Sequence, residues 1–562
     1  MCGIIGYIGK QQALPILIEG LKRLEYRGYD SAGLVVLNGH GLQVRKSAGC
    51  IAALEGKVLA EPDPLLLRGT LGVAHTRWAT HGAPTEINAH PHLDTQRRIA
   101  VVHNGIIENH SALRQFLEQV GVVFSSQTDT EVLGHLIAYH MYGNPHAATG
   151  SLAGGLIPSG PLPAAELPIG PKPTVPRLSL LDAVLATLAE VVGTFGMVVL
   201  SLDDPGTIVA ARRGSPLLVG IGKDEYVVAS DASAIVAHTS NVIYLEDNEA
   251  VEITSGRLRT VTLSAIPVTK TVEHIAASLS EIELGIYPHR MLKEIFEQPE
   301  SLLNCLRGRL DLIGHRVVLG GLEQVARELS RTRRFILTGC GTAWHAALVG
   351  EYLIEDLARV HTEVDIASEL RYRNPLIEEL TTLIVVSQSG ETADTLGALR
   401  EVRSRGALAL GVVNVVGSSV ARNTDAGVYL HVGPEVGVAS TKAFTAQVAV
   451  LTMIAMWMGR RRHLSAERYG QLVDSLRTVP TLLAQVLKQS DHIAEVAKKY
   501  YQQENWMFVG RGYQLPVALE GALKLKEVSY VHAEGLSAAE MKHGHIALIT
   551  AGMPVVALAP QG

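Results

Sequence analysis

Cys2 follows the initiator methionine in MCGIIGYIG and is one of four cysteines, the others being Cys50, Cys305 and Cys340. Once the methionine is removed, a cysteine at this position carries a thiol and a free α-amine on one residue. A terminal amine titrates at about 7.7–8.0, so it can act as general base for its own side chain. Position 2 taken alone equally suits a small residue tucked under a strand. Three further segments bear on the choice. HTRWATHG (His75–Gly82) offers Arg77, whose guanidinium can grip a carboxylate through two parallel hydrogen bonds, next to Trp78. VVHNGIIEN places Asn104 and Gly105 directly after an apolar run, and a side-chain amide and a glycine N–H are suitable donors to an oxyanion. SSQTDTEV sets Asp129 before a helical pattern, where a cap or first-turn acid is the plainer reading. His75, His81, His90, His92 and His103 match no zinc spacing and read as structural histidines.

The second half offers different chemistry. In SQSGET, Ser387, Ser389 and Thr392 supply hydroxyls between an apolar strand and a helix, and Gly390 lets backbone approach an anion. A helix start adds free N–H groups and positive dipole, so a phosphate site is expected. No lysine stands in this loop, which excludes a nucleotide P-loop. GCGT, ending at Thr342, is a second glycine loop at a strand-to-helix junction. In ALEGALKLKEVSY, Glu520, Lys524 and Glu527 fall at i, i+4 and i+7 on one helical face. An exposed salt-bridge stripe is the simplest account, but the helix follows a repeated glycine loop that aims its start at a ligand crevice. KHGH adds His543, able to exchange protons near neutral pH.

These residues need scaffolds. The 562-residue chain is 47% hydrophobic and 19% charged, which is ample for several buried cores. A net charge of −6 gives no electrostatic case for nucleic acid or an anionic membrane. Scattered cysteines and no recognisable signal sequence point to a reducing, cytoplasmic setting. The most membrane-like run, Ala443–Gly459, is short and contains Thr445, Gln447 and Thr452, so a buried helix is expected.

Up to about residue 142 short strands such as LGVAHTRW and RIAVVHNGII mix with the helical PILIEGLKRL. Residues 144–179 are dense in Pro and Gly and nearly free of charge, which predicts a flexible surface insertion. Strands resume to about 270, and patterning is irregular over residues 271–300. Beyond lies strand–loop–helix alternation, the pattern of a parallel α/β sheet. FILTGCGTAWHAALVGE (from Phe335) echoes MFVGRGYQLPVALEG (from Met507), matching Gly339 and Gly341 to Gly510 and Gly512. Two copies of one unit are expected, at 301–465 and 466–562, the second incomplete at the sequence's end.

MCGIIGYIG, LEYRGYDSAG, HTRWATHG, HNGIIEN and QTDTE together resemble the glutaminase domain of the N-terminal-nucleophile (Ntn) amidotransferases, over about Cys2 to Leu263. The resemblance implies an α/β/β/α sandwich. It implies Cys2 as nucleophile toward the glutamine amide and Asn104 and Gly105 as the oxyanion hole. Arg77, Asp129 and His81 would bind glutamine, and Trp78 would lie on a loop that closes the site and gates ammonia. GCGT, SQSGET, EVGVASTKAFTAQ, ALEGALKLKE and AEMKHG resemble the paired sugar-isomerase (SIS) domains of the glutamine–fructose-6-phosphate aminotransferase family, from about Gly285 onward. By that resemblance Ser387, Gln388, Ser389 and Thr392 bind the sugar phosphate, with Thr342 and Glu520 beside it. Glu527 would move a proton between C1 and C2, His543 would assist ring opening, and Lys524 would complete the site. The implied substrates are L-glutamine and fructose 6-phosphate, the implied product glucosamine 6-phosphate, the entry compound of amino-sugar synthesis. The resemblance brings no cofactor and no metal, and implies a homodimer.

Ala343 stands where the family usually has Ser, His545 where it usually has Pro, and the family's C-terminal tail has no counterpart. The chain therefore reads as a C-terminally truncated member, leaving glutaminase-only or inactive phosphosugar binding as the alternative. Other proteins share the MCGI start. Amidophosphoribosyltransferases need an acidic phosphoribosyl-pyrophosphate loop and asparagine synthetases an ATP pyrophosphatase loop, and the second half offers neither. A phosphosugar-sensing regulator needs a basic N-terminal helix-turn-helix, where this chain carries the glutaminase motifs.

Overall fold

The computed structural model describes residues 2–25, 28–78, 82–143, 178–275, 284–311 and 313–560. The chain divides into two compact units, Met1–Ile282 and Glu283–Gly562.

The first unit is built on two sheets. The eight-stranded sheet runs Glu273–His274, Asn241–Tyr244, Leu218–Ile221, Tyr226–Ala229, Gly3–Ile8, Leu71–Arg77, Ser31–Asn38, Gly41–Ala48 from edge to edge. The seven-stranded sheet runs Pro267–Val268, Arg257–Thr262, Glu249–Thr254, Thr207–Arg213, Gly193–Ser201, Ile99–Ile107, His92–Leu93. Period-two alternation divides each strand between two cores. Ile4 and Ile8 join Val35, Val73, Val102 and Val198 between the sheets. Ile5 and Tyr7 turn the other way, under Leu17, Leu21 and Leu24 of the helix Ala13–Leu24 and Ile51 and Leu54 of the helix Ile51–Leu59. On the far face Ile99 and Val101 pack against Leu117, Val132, Leu136 and Val184 of three further helices. Four layers result, helix–sheet–sheet–helix.

The opening strand is central. Gly3–Ile8 pairs antiparallel with Leu71–Arg77 on one side and Tyr226–Ala229 on the other. A strand bonded on both edges does not fray, so Cys2 begins an anchored element. Of the Pro/Gly-rich insertion, 144–177 lies outside the described residues. Ser179 caps the next helix, its Oγ accepting the Asp182 N–H at 3.1 Å.

The second unit holds a five-stranded all-parallel sheet in the order His361–Ile366, Arg334–Gly339, Thr381–Ser387, Leu408–Val413, Ala426–Tyr429. A three-stranded parallel sheet follows in the order His532–Ser537, Asn505–Gly510, Val555–Ala557. Its order repeats that of the larger sheet's first three strands, which bears out the internal echo. The matched glycines explain it. Gly341 and Gly512 hold φ of +54° and +56°, a left-handed turn that glycine adopts without cost. At Gly510 a Cβ would stand 2.1 Å from the Gln514 carbonyl, so only glycine lets the helix turn back over its strand.

The helix Lys442–Arg460, long and apolar enough to cross a membrane, lies in the core of this unit with Val450, Leu451, Ile454 and Trp457 fully buried. Its apolar residues face inward on all sides, as expected for a core helix. The irregular patterning over 271–300 ends earlier than its composition suggests. Arg290–Leu306 is one helix with Pro299 inside it. Its buried side includes Glu294 and Ser301 as well as Leu302, Cys305 and Leu306, and those polar residues hid the helical period.

Candidate functional site

In the first unit the Cys2 thiol meets the backbone of Trp78, whose N–H donates to Sγ at 3.2 Å. Burial pushes the thiol's pKa up, opposed by that N–H and by the positive charge of Arg77. Asn104 donates from Nδ2 to the Cys2 carbonyl at 2.9 Å, while its Oδ1 lies 2.9 Å from His75 Nε2. Because the amide oxygen accepts, His75 carries its proton on Nε2 and fixes which end of the Asn104 amide faces Cys2. Gly105 follows with φ of +135°, and a Cβ there would meet the Thr194 carbonyl at 2.1 Å. Gly105 is itself exposed.

Arg77 is buried and donates to the carbonyls of Ala83 at 3.3 Å and Gly82 at 3.1 Å. Asp129 is buried as well and is not a helix cap. Its Oδ2 accepts the Ile107 N–H at 2.8 Å, and the helix Glu131–Tyr142 begins behind Thr130 without a side-chain cap. Asp129 thus ties its loop to the strand that carries Asn104. Trp78 is half exposed and sits edge-on to Tyr29 at 5.4 Å. His81 lies outside the described residues.

The neighbouring histidines pack on one another. His75 stacks on His90 at 4.1 Å, and His90 meets His92 edge-on at 4.8 Å. Burial holds His75 down to about 3, and His90 and His92 well below their ordinary value. Each is neutral when folded, whereas an unfolded histidine titrates at about 6.5. Below that pH the unfolded state binds more protons, so stability is lost on acidification. The slope reaches about 1.4 kcal/mol per pH unit per ring between about 6.5 and the folded value. Urea unfolding of the full chain followed by amide hydrogen exchange in the strand Leu71–Arg77 is expected to show a lower midpoint at pH 5 than at pH 7. A midpoint independent of pH would contradict this account.

In the second unit the SQSGET loop leaves the strand Thr381–Ser387 and enters the helix Ala393–Ser404. Ser387 Oγ accepts the Gly390 N–H at 2.9 Å and Ser389 Oγ accepts the Glu391 N–H at 3.2 Å. Each hydroxyl keeps its own O–H free to donate, so the loop is self-bracing yet competent to bind an anion. Thr392 occupies the helix N-cap without spending its hydroxyl on the cap. The Gln388 carbonyl accepts from Asn414 N at 3.2 Å, and Asn414 Nδ2 donates to the Gly433 carbonyl at 2.7 Å. Asn414 therefore links the loops that leave three adjacent strands, a connection with no sequence signal beyond its place after a strand.

Gly390 has φ of +65°, and a Cβ on it would stand 2.1 Å from Ser418 Oγ and 2.6 Å from Ser418 Cβ. Gly390→Ala combines backbone strain with a clash against a buried neighbour, each worth roughly 1–3 kcal/mol. The variant is expected to unfold at distinctly lower urea concentration. Wild-type stability in Gly390→Ala would show that the loop adapts.

Glu520, Lys524 and Glu527 are not a solvent-exposed stripe. Their side chains are 7%, 18% and 33% exposed, and they turn toward the start of the first repeat's helix. Lys524 Nζ lies 2.6 Å from Glu527 Oε2, 3.0 Å from Thr342 Oγ1 and 3.3 Å from Glu520 Oε1. Thr342 donates to Glu520 Oε1 at 2.9 Å. Helices Thr342–Ala358 and Gln514–Ser529, equivalent elements of the two repeats, thus share one polar cluster. Ala343 is buried in the first turn beside Thr342. His543 is exposed after the short turn Glu540–Lys542 and makes no hydrogen bond to this cluster among the described residues. His545 approaches Glu534 at 3.8 Å. Sequence reasoning passed over His345, whose Nδ1 lies 2.7 Å from Glu520 Oε2. It stands one helical turn after Thr342 in the quoted segment, which was the available clue. Glu435 and Lys442 were quoted in EVGVASTKAFTAQ without a role. Glu435 accepts from Thr441 N, Ala443 N and Ser440 Oγ, and Lys442 pairs with Glu297 at 2.7 Å.

Comparison with known proteins identifies the families of both units. Residues 62–154 match the glutamine amidotransferase domain family, and residues 328–457 and 499–562 match the SIS domain family. The molecule is an Ntn-type amidotransferase joined to SIS units, the second smaller than the first. The chain is 48% identical over 564 residues to the glutamine–fructose-6-phosphate aminotransferase (isomerizing) of Bacteroides thetaiotaomicron, covering 100% of this chain and 86% of that protein. It is 49% identical to the protein of the same name from Chlorobaculum tepidum, with the same coverage. The solved C-terminal domain of glucosamine-fructose-6-phosphate aminotransferase from Francisella tularensis is 35% identical, with a TM-score of 0.49, over 50% of this chain and 79% of that one. The chain belongs to the glutamine–fructose-6-phosphate aminotransferase (isomerizing) family.

Proposed function

We propose that the chain converts L-glutamine and fructose 6-phosphate to L-glutamate and glucosamine 6-phosphate. In this reading residues 1–270 form the glutaminase domain, and residues 301–465 and 466–562 the two SIS domains, after a linker at 271–300. The Cys2 thiol, deprotonated by its own α-amine, attacks the glutamine side-chain carbonyl. Asn104 Nδ2 and the Gly105 N–H receive the developing oxyanion. The carbon–nitrogen bond breaks with proton transfer to nitrogen, ammonia leaves, and water releases glutamate from the thioester. Arg77 binds the α-carboxylate, Asp129 the α-ammonium, and Trp78 and His81 border the pocket.

In the second unit Ser387, Gln388, Ser389 and Thr392 hold the phosphate. Ammonia adds to C2 of the open-chain ketose and water leaves, giving an imine. Glu527 takes a proton from C1 and returns one to C2, yielding the 2-amino aldose. His543 assists ring opening, and Lys524, Glu520 and Thr342 complete the site. The observation that carries the reading is the placement of Lys524 between Glu520 and Glu527 against Thr342, which sets a carboxylate base beside a fixed cation. Glutamine hydrolysis uncoupled from sugar amination is not favoured by likeness to aminotransferases over the whole chain. The enzyme is placed in the cytoplasm as a homodimer, a state that light scattering checks. Incubation with both substrates should give glutamate and glucosamine 6-phosphate in equal amounts. Glutamate without amino sugar would reject the sugar half of the proposal.

A further inference from the structure

One buried titratable group beside the sugar cluster has no part in the steps above. His345 lies on the helix Thr342–Ala358 and is 7% exposed, with Nδ1 2.7 Å from Glu520 Oε2. A carboxylate only accepts, so Nδ1 carries the proton and donates. Glu520 is then held at both oxygens: its Oε2 takes His345, and its Oε1 takes the Thr342 hydroxyl at 2.9 Å and lies 3.3 Å from Lys524 Nζ. Lys524 donates to Glu527 Oε2 at 2.6 Å and to Thr342 Oγ1 at 3.0 Å, and it pairs with Glu520 Oε1 at 3.3 Å. Exposure rises along the chain of contacts, from 8% and 7% for the His345 and Glu520 side chains to 33% for Glu527. The buried end is the fixed end.

We propose that His345 is a positioning residue for the isomerisation step, holding the Glu520 carboxylate and thereby setting how Lys524 is shared between Glu520 and Glu527. The inference rests on Glu527 being the base. Without the imidazole, Glu520 Oε2 is buried and unpaired, a costly state that a shift of Lys524 toward Glu520 relieves. That shift lengthens the Lys524–Glu527 contact and moves the carboxylate that must reach C1. The phosphate loop leaves a different strand, Thr381–Ser387, and is undisturbed. The defect should therefore fall on turnover rather than on sugar binding.

The test uses the full chain and follows uptake of solvent deuterium at sugar carbon during reaction of fructose 6-phosphate with an ammonium salt in place of glutamine, with glutamate release from glutamine as an independent control. His345→Leu should lower kcat for exchange roughly tenfold or more, since small misplacements of a catalytic group cost rate steeply. KM for fructose 6-phosphate and glutamate release should be nearly unchanged. His345→Asn, whose amide nitrogen can stand where Nδ1 stood, should recover most of the loss. Glu520→Gln and the double variant His345→Leu/Glu520→Gln should be equally slow, because His345 acts through Glu520. A wild-type kcat in His345→Leu overturns the inference, and so do losses in the two single variants that simply multiply. Equal impairment of His345→Asn and His345→Leu with raised KM overturns it in favour of a packing role. Wild-type protein that releases glutamate but shows no exchange overturns the aminotransferase reading, and the inference with it.

Discussion

Cys2→Ala is expected to stop glutamate release from glutamine while leaving deuterium exchange into fructose 6-phosphate intact. In the proposed mechanism the thiol provides the bond that splits amide hydrolysis into two easier steps, and alanine offers no substitute. Loss of a covalent nucleophile costs on the order of 10⁴-fold or more, the residue coming from oxyanion donors and substrate binding. Cys2 contributes little to the fold, because the strand behind it is held on both edges. The variant should therefore fold normally. Its Asn104 is still oriented by His75, so glutamine binding should persist. Amino-sugar formation should return when ammonia is supplied at high concentration in place of glutamine. Glutamine hydrolysis at the wild-type rate in Cys2→Ala would remove the nucleophile assignment.

Glu527→Gln should give the opposite pattern. Glutamine hydrolysis continues, while proton exchange at the sugar falls by about 10²–10⁴-fold, the usual contribution of a positioned base. Glutamine keeps the length and shape of glutamate and can still accept a hydrogen bond from Lys524, so KM for fructose 6-phosphate should move little. The side chain is one-third exposed, and its replacement should leave stability close to wild type. Undiminished exchange in this variant would transfer the base role to another group. The reciprocal losses of the two variants separate the chemistry of the two units without dissecting the chain.

The motifs that are local in sequence were legible. Strand–glycine–helix junctions marked both repeats, and short apolar runs marked the strands carrying His75 and Asn104. The buried run at Lys442–Arg460 was rightly taken for a core helix, because Thr and Gln interrupt its apolar residues. Pairings across long sequence separations were not legible. The Thr342–Glu520 contact spans 178 residues, and no spacing rule connects a glycine loop to a carboxylate so distant. The same holds for His75, whose ring sets the Asn104 amide from 29 residues away. Helix Arg290–Leu306 was hidden for another reason. Its buried Glu294 accepts the N–H groups of Val436 and Gly437, so a polar residue occupies a core position where periodicity expects an apolar one. Asp129 was identified as a candidate, yet its partner, the backbone N–H of Ile107 on a strand 22 residues earlier, lies beyond what composition can show.

The two repeats hold the helices that carry Thr342 and Lys524 with unequal grip. The five-stranded sheet is flanked by a large apolar core that includes Trp457, Ile454 and Phe335, whereas the three-stranded sheet is backed mainly by Met507, Val509 and Leu536. Local opening follows the amount of apolar surface that must be exposed. Amides of the helix bearing Lys524 and Glu527 will therefore exchange with solvent sooner than those of the helix bearing Thr342. A ligand that spans both repeats binds only when the weaker one is closed, so its binding free energy is also folding free energy for that half. If sugar phosphate spans both repeats as proposed, it holds the smaller one closed, and proteases should find Gln514–Ser529 readily in the empty protein and poorly in the saturated one.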